Sequence, residues 1–300
     1  MKGIVYSVIV MVILTPIIIS SITYLGSVRT YGEEITVKIR GNEFSNFANS
    51  ISYDLPRIVD ITGKTAITAA VNYVDINGSG IDNSELRLKE LVLQETIYSQ
   101  KSPSMNTSPI LTWINRTISK GRDYGFESNI RIESLEIRQY DSFNIAFDIT
   151  LTVNITDRTG KMEINRRFNR TVLVSIEGFD DPLYTLETNG YIKRKIKRNN
   201  LTIYGISTAD YAIQHRFYMA CTDGPEFLDR LEGKFTPSEK GIETFVDLSD
   251  LSIVGIPVNT GESIIDHQYF DLVPDPGNII AGSSYSWFKL DDEHRSLYGL

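Results

Sequence analysis

Hydrophobic and polar positions along the chain fall into three regimes. In residues 4–25 (IVYSVIVMVILTPIIISSITYL) there is no charge at all. At about 1.5 Å per residue, a helix of this length reaches roughly 33 Å, enough to cross a hydrocarbon core of about 30 Å. Pro16 lies mid-segment, where a bilayer helix tolerates it with a kink, and Tyr6 and Tyr24 sit near the ends, where amphipathic rings favour the interface. Lys2 precedes the segment and Arg29 follows it, with Glu33 and Glu34 soon after. The positive-inside bias then places the short N-terminus in the cytoplasm and the remainder outside. A cleaved secretory signal is the alternative, although the run is long for one and no small-x-small site follows it.

The second regime has a helical period. Phe44, Phe47, Ile51, Leu55 and Ile58 recur at three- to four-residue spacing, and Ala66, Ile67, Ala70, Val71 and Val74 continue the stripe. Residues 28–75 therefore read as helix, with Pro56 and Gly63 as expected interruptions, and as a stalk leading out of the membrane segment. After the turn-rich residues 77–84, a helix is expected over 84–98 with Asn83 or Ser84 as cap. Another begins near Ile110 and ends near Gly121.

The third regime alternates. Phe143, Ile145, Phe147, Ile149, Leu151, Val153 and Ile155 interleave with polar or small residues, the period of a half-buried strand. Ile130 and Ile132, then Leu135 and Ile137, mark a strand before it. Ile164, Phe168, Val172, Val174 and Ile176 mark one after, with Asp157-Arg158-Thr159-Gly160 as the turn. Residues 129–177 thus predict a three-stranded antiparallel meander, one face on the helices and one exposed. Beyond Gly178 the pattern shortens. It predicts helices over 207–220, 225–232 and 291–298 and short strands over 242–248 and 264–270. The fold class is α+β, and the chain divides into an anchor (1–27), a helical region (28–125) and an α+β ectodomain (126–300).

Composition narrows the chemistry. The chain has 300 residues, 41% of them hydrophobic, a formal charge of −8 and one cysteine, Cys221. A net acidic chain is a poor general binder of nucleic acid. A single cysteine permits no intramolecular disulfide. Gly63-Lys64-Thr65 lacks the upstream glycine of a phosphate loop. Three separated histidines do not have zinc-site spacing, so no metal ligands, no cofactor and no catalytic residues are assigned. Asp180-Asp181 and Asp291-Asp292-Glu293 read as solvated loops, and Asp181-Pro182 as a turn. Asp266-His267, with Asp229, Glu232 or His294, is the only acid–base pairing worth naming. The sharpest charge feature is Lys193, Arg194, Lys195, Lys197 and Arg198, candidate contacts for an anionic lipid or polymer surface. N-glycosylation sequons stand at Asn77, Asn106, Asn115, Asn154, Asn169 and Asn200.

Several phrases resemble an uncharacterised family of archaeal envelope proteins, chiefly of methanogens. They are DLPRIVDITGKTAITAAVNYV within 52–74, GFDDPLYTLETNG at 178–190, FLDRLEGKF at 227–235, GIETFVDL at 241–248, SIIDHQYF at 263–270 and SWFKLDDEH at 286–294. The resemblance implies a hydrophobic anchor followed by a helical and β ectodomain, pilin-like in some members, and brings no catalytic residues. Lys2-Gly3 before the apolar run is similar to the cleavage point of archaeal pilin precursors, but Val8 stands where pilin helices commonly carry an acid.

The expected function is that of a membrane-anchored extracytoplasmic structural or interaction protein of the archaeal cell envelope, not an enzyme, with an envelope protein, a polymer or a second copy of the chain as partner. Two alternatives are a binding module for an anionic polymer or lipid surface through residues 193–198, and a membrane-tethered hydrolase.

Overall fold

A computed structural model describes residues 2–105, 109–201, 203–271 and 276–300; among these, the side chains of residues 2–9, 28–34 and 36 are outside the description. The expected α+β class is what the chain adopts. Helix α1 (Lys2–Asn77) is continuous through Pro16 and Pro56 and, at 76 residues, is roughly 114 Å long. Within it, Val10–Ser27 is long and apolar enough to cross a membrane, and none of it is buried in the protein. The hydroxyls of Thr15, Ser21 and Thr23 donate back to the carbonyls of Met11, Ile17 and Ile19 at 2.7–3.0 Å. Those hydroxyls are therefore satisfied within the helix itself.

Among the described side chains of α1, the first buried is Phe44, about 25 Å of helix beyond Ser27. Just before it, Arg40 fastens the stalk to the body. Its Nη2 donates to Asp157 Oδ1 at 2.9 Å and to the Gly125 carbonyl at 3.2 Å, and its guanidinium lies 4.4 Å from the centre of the Phe126 ring. The Thr159 hydroxyl and Arg40 together hold the Asp157 carboxyl below the usual carboxylate range.

From Phe44 onward the apolar stripe of α1 packs on helix α2 (Ser84–Gln94), helix α3 (Pro109–Asp123) and an antiparallel sheet of β3 (Phe126–Asp141), β4 (Asn144–Asp157) and β5 (Glu163–Ser175), in that order. Between α2 and α3 lies a small hairpin of β1 (Thr96–Ile97) and β2 (Gln100–Lys101). The stripe ends each turn as expected except at Ile58, which is half-buried while its neighbour Val59 takes the core position. Asn83 caps α2, its side chain accepting from Leu86 N. The sheet has one buried face, and its outer face carries cross-strand pairs such as Arg138–Asp148 at 3.1 Å and Arg167–Glu133 at 2.7 Å. The change of phase in β3, from Ile130 and Ile132 to Leu135 and Ile137, coincides with a register shift between Ile132 and Ser134. A bulge there adds one residue and restores the apolar side chains to the core.

Gly63 does not interrupt α1, contrary to expectation. It is a point of close approach to the sheet: a Cβ there would stand 2.8 Å from Val174 Cγ2 and 3.1 Å from the Phe147 ring. Nor is the boundary at residue 125 a division of the core, because the helices and the sheet share one hydrophobic cluster. A second cluster is built from residues 184–300.

That C-terminal part contains α4 (Pro182–Glu187), α5 (Ile206–His215), β6 (Tyr218–Cys221), α6 (Phe227–Glu232), β7 (Gly241–Thr244), α7 (Leu248–Ile253), α8 (Asp266–Phe270), β8 (Asn278–Ile279), β9 (Lys289–Leu290) and α9 (Asp292–Tyr298). Four expectations change. The helix over 207–220 stops at His215, because Arg216 turns left-handed and Tyr218–Cys221 pairs with β7. The strand over 242–248 ends at Thr244, and Asp247 caps α7 through Ser249 N. Residues 264–270 bridge to Phe245 only at Ile265 and then turn into α8. Asp181-Pro182 starts α4, with Asp181 as N-cap and proline in the first turn, where its missing N–H costs nothing.

The β6–β7 ribbon lies between the two clusters. Tyr218 and Ile242 share one face and belong to the first cluster; Met219, Cys221 and Glu243 share the other, and Met219 belongs to the second.

Candidate metal centre

Two polar groups are buried where the C-terminal elements meet. The first centres on Arg230, fully buried on α6. Its Nη1 lies 2.7 Å from Asp181 Oδ2 and 2.8 Å from Asp266 Oδ2, and its Nη2 donates to the Ile242 carbonyl. Tyr218 donates to Asp181 Oδ2 at 2.8 Å, while Asp266 Oδ1 accepts from the backbone N–H of Thr244 and His267. Burial pushes the Asp181 carboxyl above its ordinary range, against the pull of Arg230. Asp181 is thus an internal ion-pair partner and not the solvated loop residue expected. Asp266, equally buried and committed to Arg230, is not placed to act as an acid or base for a substrate.

The peptide that carries Asp266 into this network turns the next side chain, His267, the other way. There it meets Glu243 from β7, Asp223 from the loop after β6, and His294 from α9. His267 Nε2 is 3.4 Å from Glu243 Oε2 and 3.8 Å from Asp223 Oδ2; His294 Nε2 is 3.2 Å from Glu243 Oε2 and 3.3 Å from Asp223 Oδ2. Cys221 Sγ stands within 4.8 Å of the donor atoms of Asp223, Glu243 and His267. Glu243 and His294 are buried, whereas the Asp223 side chain is 41% exposed and forms the solvent edge.

Each group is held by local structure. Asp291, expected in a solvated loop, is buried and caps α9: Oδ1 accepts from His294 N, and Oδ2 lies 2.7 Å from His294 Nδ1. One turn later, Tyr298 donates to Glu243 Oε1, leaving Oε2 turned toward the histidines. Gly224 allows the loop to close, since a Cβ there would meet Cys221 Sγ at 2.7 Å and His267 Cδ2 at 3.0 Å. Burial would lower the His294 pKa, but Asp223, Glu243 and Asp291 outweigh it and raise it to about 11. Burial, with Glu243 and Asp223 next, pushes the Cys221 thiol well above its usual range.

The sequence separates these residues by up to 73 positions, and short-range ligand spacing cannot reveal them. The available signal was different: Glu243 is the one acid in a short apolar strand. Of the pairings named from sequence, His267 and His294 do come together, while Glu232 lies elsewhere, accepting from Ser84 N at 2.7 Å.

The basic run is not one surface. Its chain is extended, with Lys193, Lys195, Lys197 and Arg198 exposed and Arg194 buried. Arg194 Nη1 donates to Tyr184 Oη at 2.8 Å and to the Phe245 carbonyl at 2.9 Å, so it is removed from the candidate anionic-surface contacts. Lys193 pairs with Asp75 at 2.5 Å, and the Arg198 guanidinium lies 5.1 Å from the centre of the Phe143 ring. Among the sequons, Asn77, Asn115, Asn169 and Asn200 are exposed, Asn154 is half-buried on the central strand, and Asn106 lies outside the described residues.

No protein-family model matches the chain, and neither a curated protein nor a solved structure does.

Proposed function

We infer that the protein is a membrane-anchored structural or interaction protein of a cell envelope, its body held outside the cytoplasm. The observation that carries the reading is the dual role of α1. One uninterrupted helix holds the exposed apolar segment Val10–Ser27 and, farther on, forms the spine of the first hydrophobic cluster. An anchor continuous with the core sets the body at a fixed distance from the bilayer, because no flexible linker intervenes. Exposed sequons on α3 and β5, at Asn115 and Asn169, suit glycosylation of an extracytoplasmic surface.

Alkaline extraction of membranes from cells making the full chain tests the anchor. The full chain stays with the lipid, whereas an Ile13→Lys/Ile17→Lys variant, with two charges costing about 2.5–3.5 kcal/mol each at the bilayer centre, moves to the supernatant. Wild-type protein in the supernatant, or a mature chain that begins beyond residue 25, would overturn the reading.

A further inference from the structure

The Glu243 cluster has an excess of acceptors. Asp223, Glu243 and Asp291 converge on two imidazoles, and among the described residues no lysine or arginine forms an ion pair with any of the three. Asp291 occupies Nδ1 of His294, which directs Nε2 of that ring at Glu243 and Asp223. Acceptors facing one another at this range are matched by a cation between them: a proton on the His294 ring supplies one, and a metal ion in that proton's place supplies another.

The four imidazole–carboxylate donor separations fit a small cation. An ion bound tetrahedrally at about 2.0–2.1 Å holds its donors roughly 3.3–3.4 Å apart. Around the circuit His267–Glu243–His294–Asp223 the donor separations are 3.4, 3.2, 3.3 and 3.8 Å. Three sides already have the tetrahedral edge length, and the long side belongs to Asp223, the ligand at the solvent edge. Two imidazole nitrogens and two carboxylate oxygens favour zinc and its first-row neighbours over calcium or magnesium, which take more oxygens, and the nearby Cys221 sulfur adds to that bias.

We propose that His267 Nε2, His294 Nε2, Glu243 Oε2 and Asp223 Oδ2 bind one divalent transition-metal ion of the zinc class. Asp291 and Tyr298 form its outer shell, the first fixing the ring of His294 and the second holding the other oxygen of Glu243. The ion ties the β6–β7 ribbon to α8 and α9, adding to the second hydrophobic cluster and to the hydrogen bonds of Thr244 with Asp266 and of Tyr298 with Glu243. Binding delivers the Nε2 proton of a protonated imidazole to solvent as the metal takes its place. This site is independent of the membrane-anchor reading, and either can fail alone.

The test uses the full chain in detergent, stripped with a chelator and titrated with Zn²⁺ and Co²⁺. Wild type retains one equivalent after desalting, and its thermal midpoint rises with zinc. His215→Ala, at the third histidine, which stacks on Tyr211 at 3.9 Å between ring centres away from the cluster, behaves identically. His267→Ala and Glu243→Gln lose the bound equivalent, and Asp291→Asn weakens binding about 10–100-fold. A wild-type chain that retains no zinc would overturn the proposal, as would one that retains as much after His267→Ala. The cobalt form guards against misfolded variants because it needs only wild type: intense visible bands of four-coordinate cobalt are expected, and the pale spectrum of the hydrated ion would contradict the site.

Discussion

Arg230 is the largest of the fully buried side chains among the described residues, and its charge is matched by two carboxylates rather than one. Burying ions costs several kcal/mol apiece, so such a group stabilises little in net terms but is costly to break. Arg230→Met leaves Asp181 and Asp266 facing each other without a cation. Urea unfolding in detergent should show a loss of about 3–5 kcal/mol. Adding Asp181→Asn should restore part of that loss, since asparagine still caps α4 and removes one unpaired charge. None of this was legible from the residues alone. Asp181-Pro182 has the composition of a turn, and Arg230 sits in a helix of ordinary charged pattern, FLDRLE. Charge signals in a sequence say where ions are, not which way their side chains turn, and the same limit misplaced Arg194.

At the scale of elements, periodicity was a better guide wherever an element was long. The meander was readable because each strand buries one face over a dozen residues, and even the bulge near Glu133 left its trace as a change of phase. Short elements failed for the opposite reason. The segments 242–248 and 264–270 are apolar enough for strands, but the cap at Asp247 starts α7 in the first and the chain turns into α8 after Ile265 in the second, and a six-residue element gives period no room to speak. Gly63 is the instructive case. Glycine in a helix usually weakens it, whereas here the missing Cβ lets α1 touch Val174 and Phe147. Gly63→Leu should therefore destabilise the body by about 1–3 kcal/mol through overpacking. Gly41→Ala, where nothing lies within 4 Å, should stabilise α1 by about 0.5–1 kcal/mol. The same unfolding measurement reads both, and equal effects at the two glycines would refute the close-approach argument.

The whole molecule is a long helix with a body around its distal half. Its apolar start and its buried spine belong to one element, so the apolar segment cannot shift relative to the body without bending α1. The candidate metal centre lies far along the chain from that segment, on the ribbon face turned toward the second hydrophobic cluster. It was out of reach of sequence reasoning because its four donors come from three elements and a loop. The apolar helix Val10–Ser27 was within reach because its signal is a contiguous run.

Protease treatment of intact cells bearing a C-terminal tag tests the topology most directly. The tag and the body are expected to be digested while a cytoplasmic marker survives. A tag that remains whole until the cells are lysed would place the body on the cytoplasmic side and contradict it.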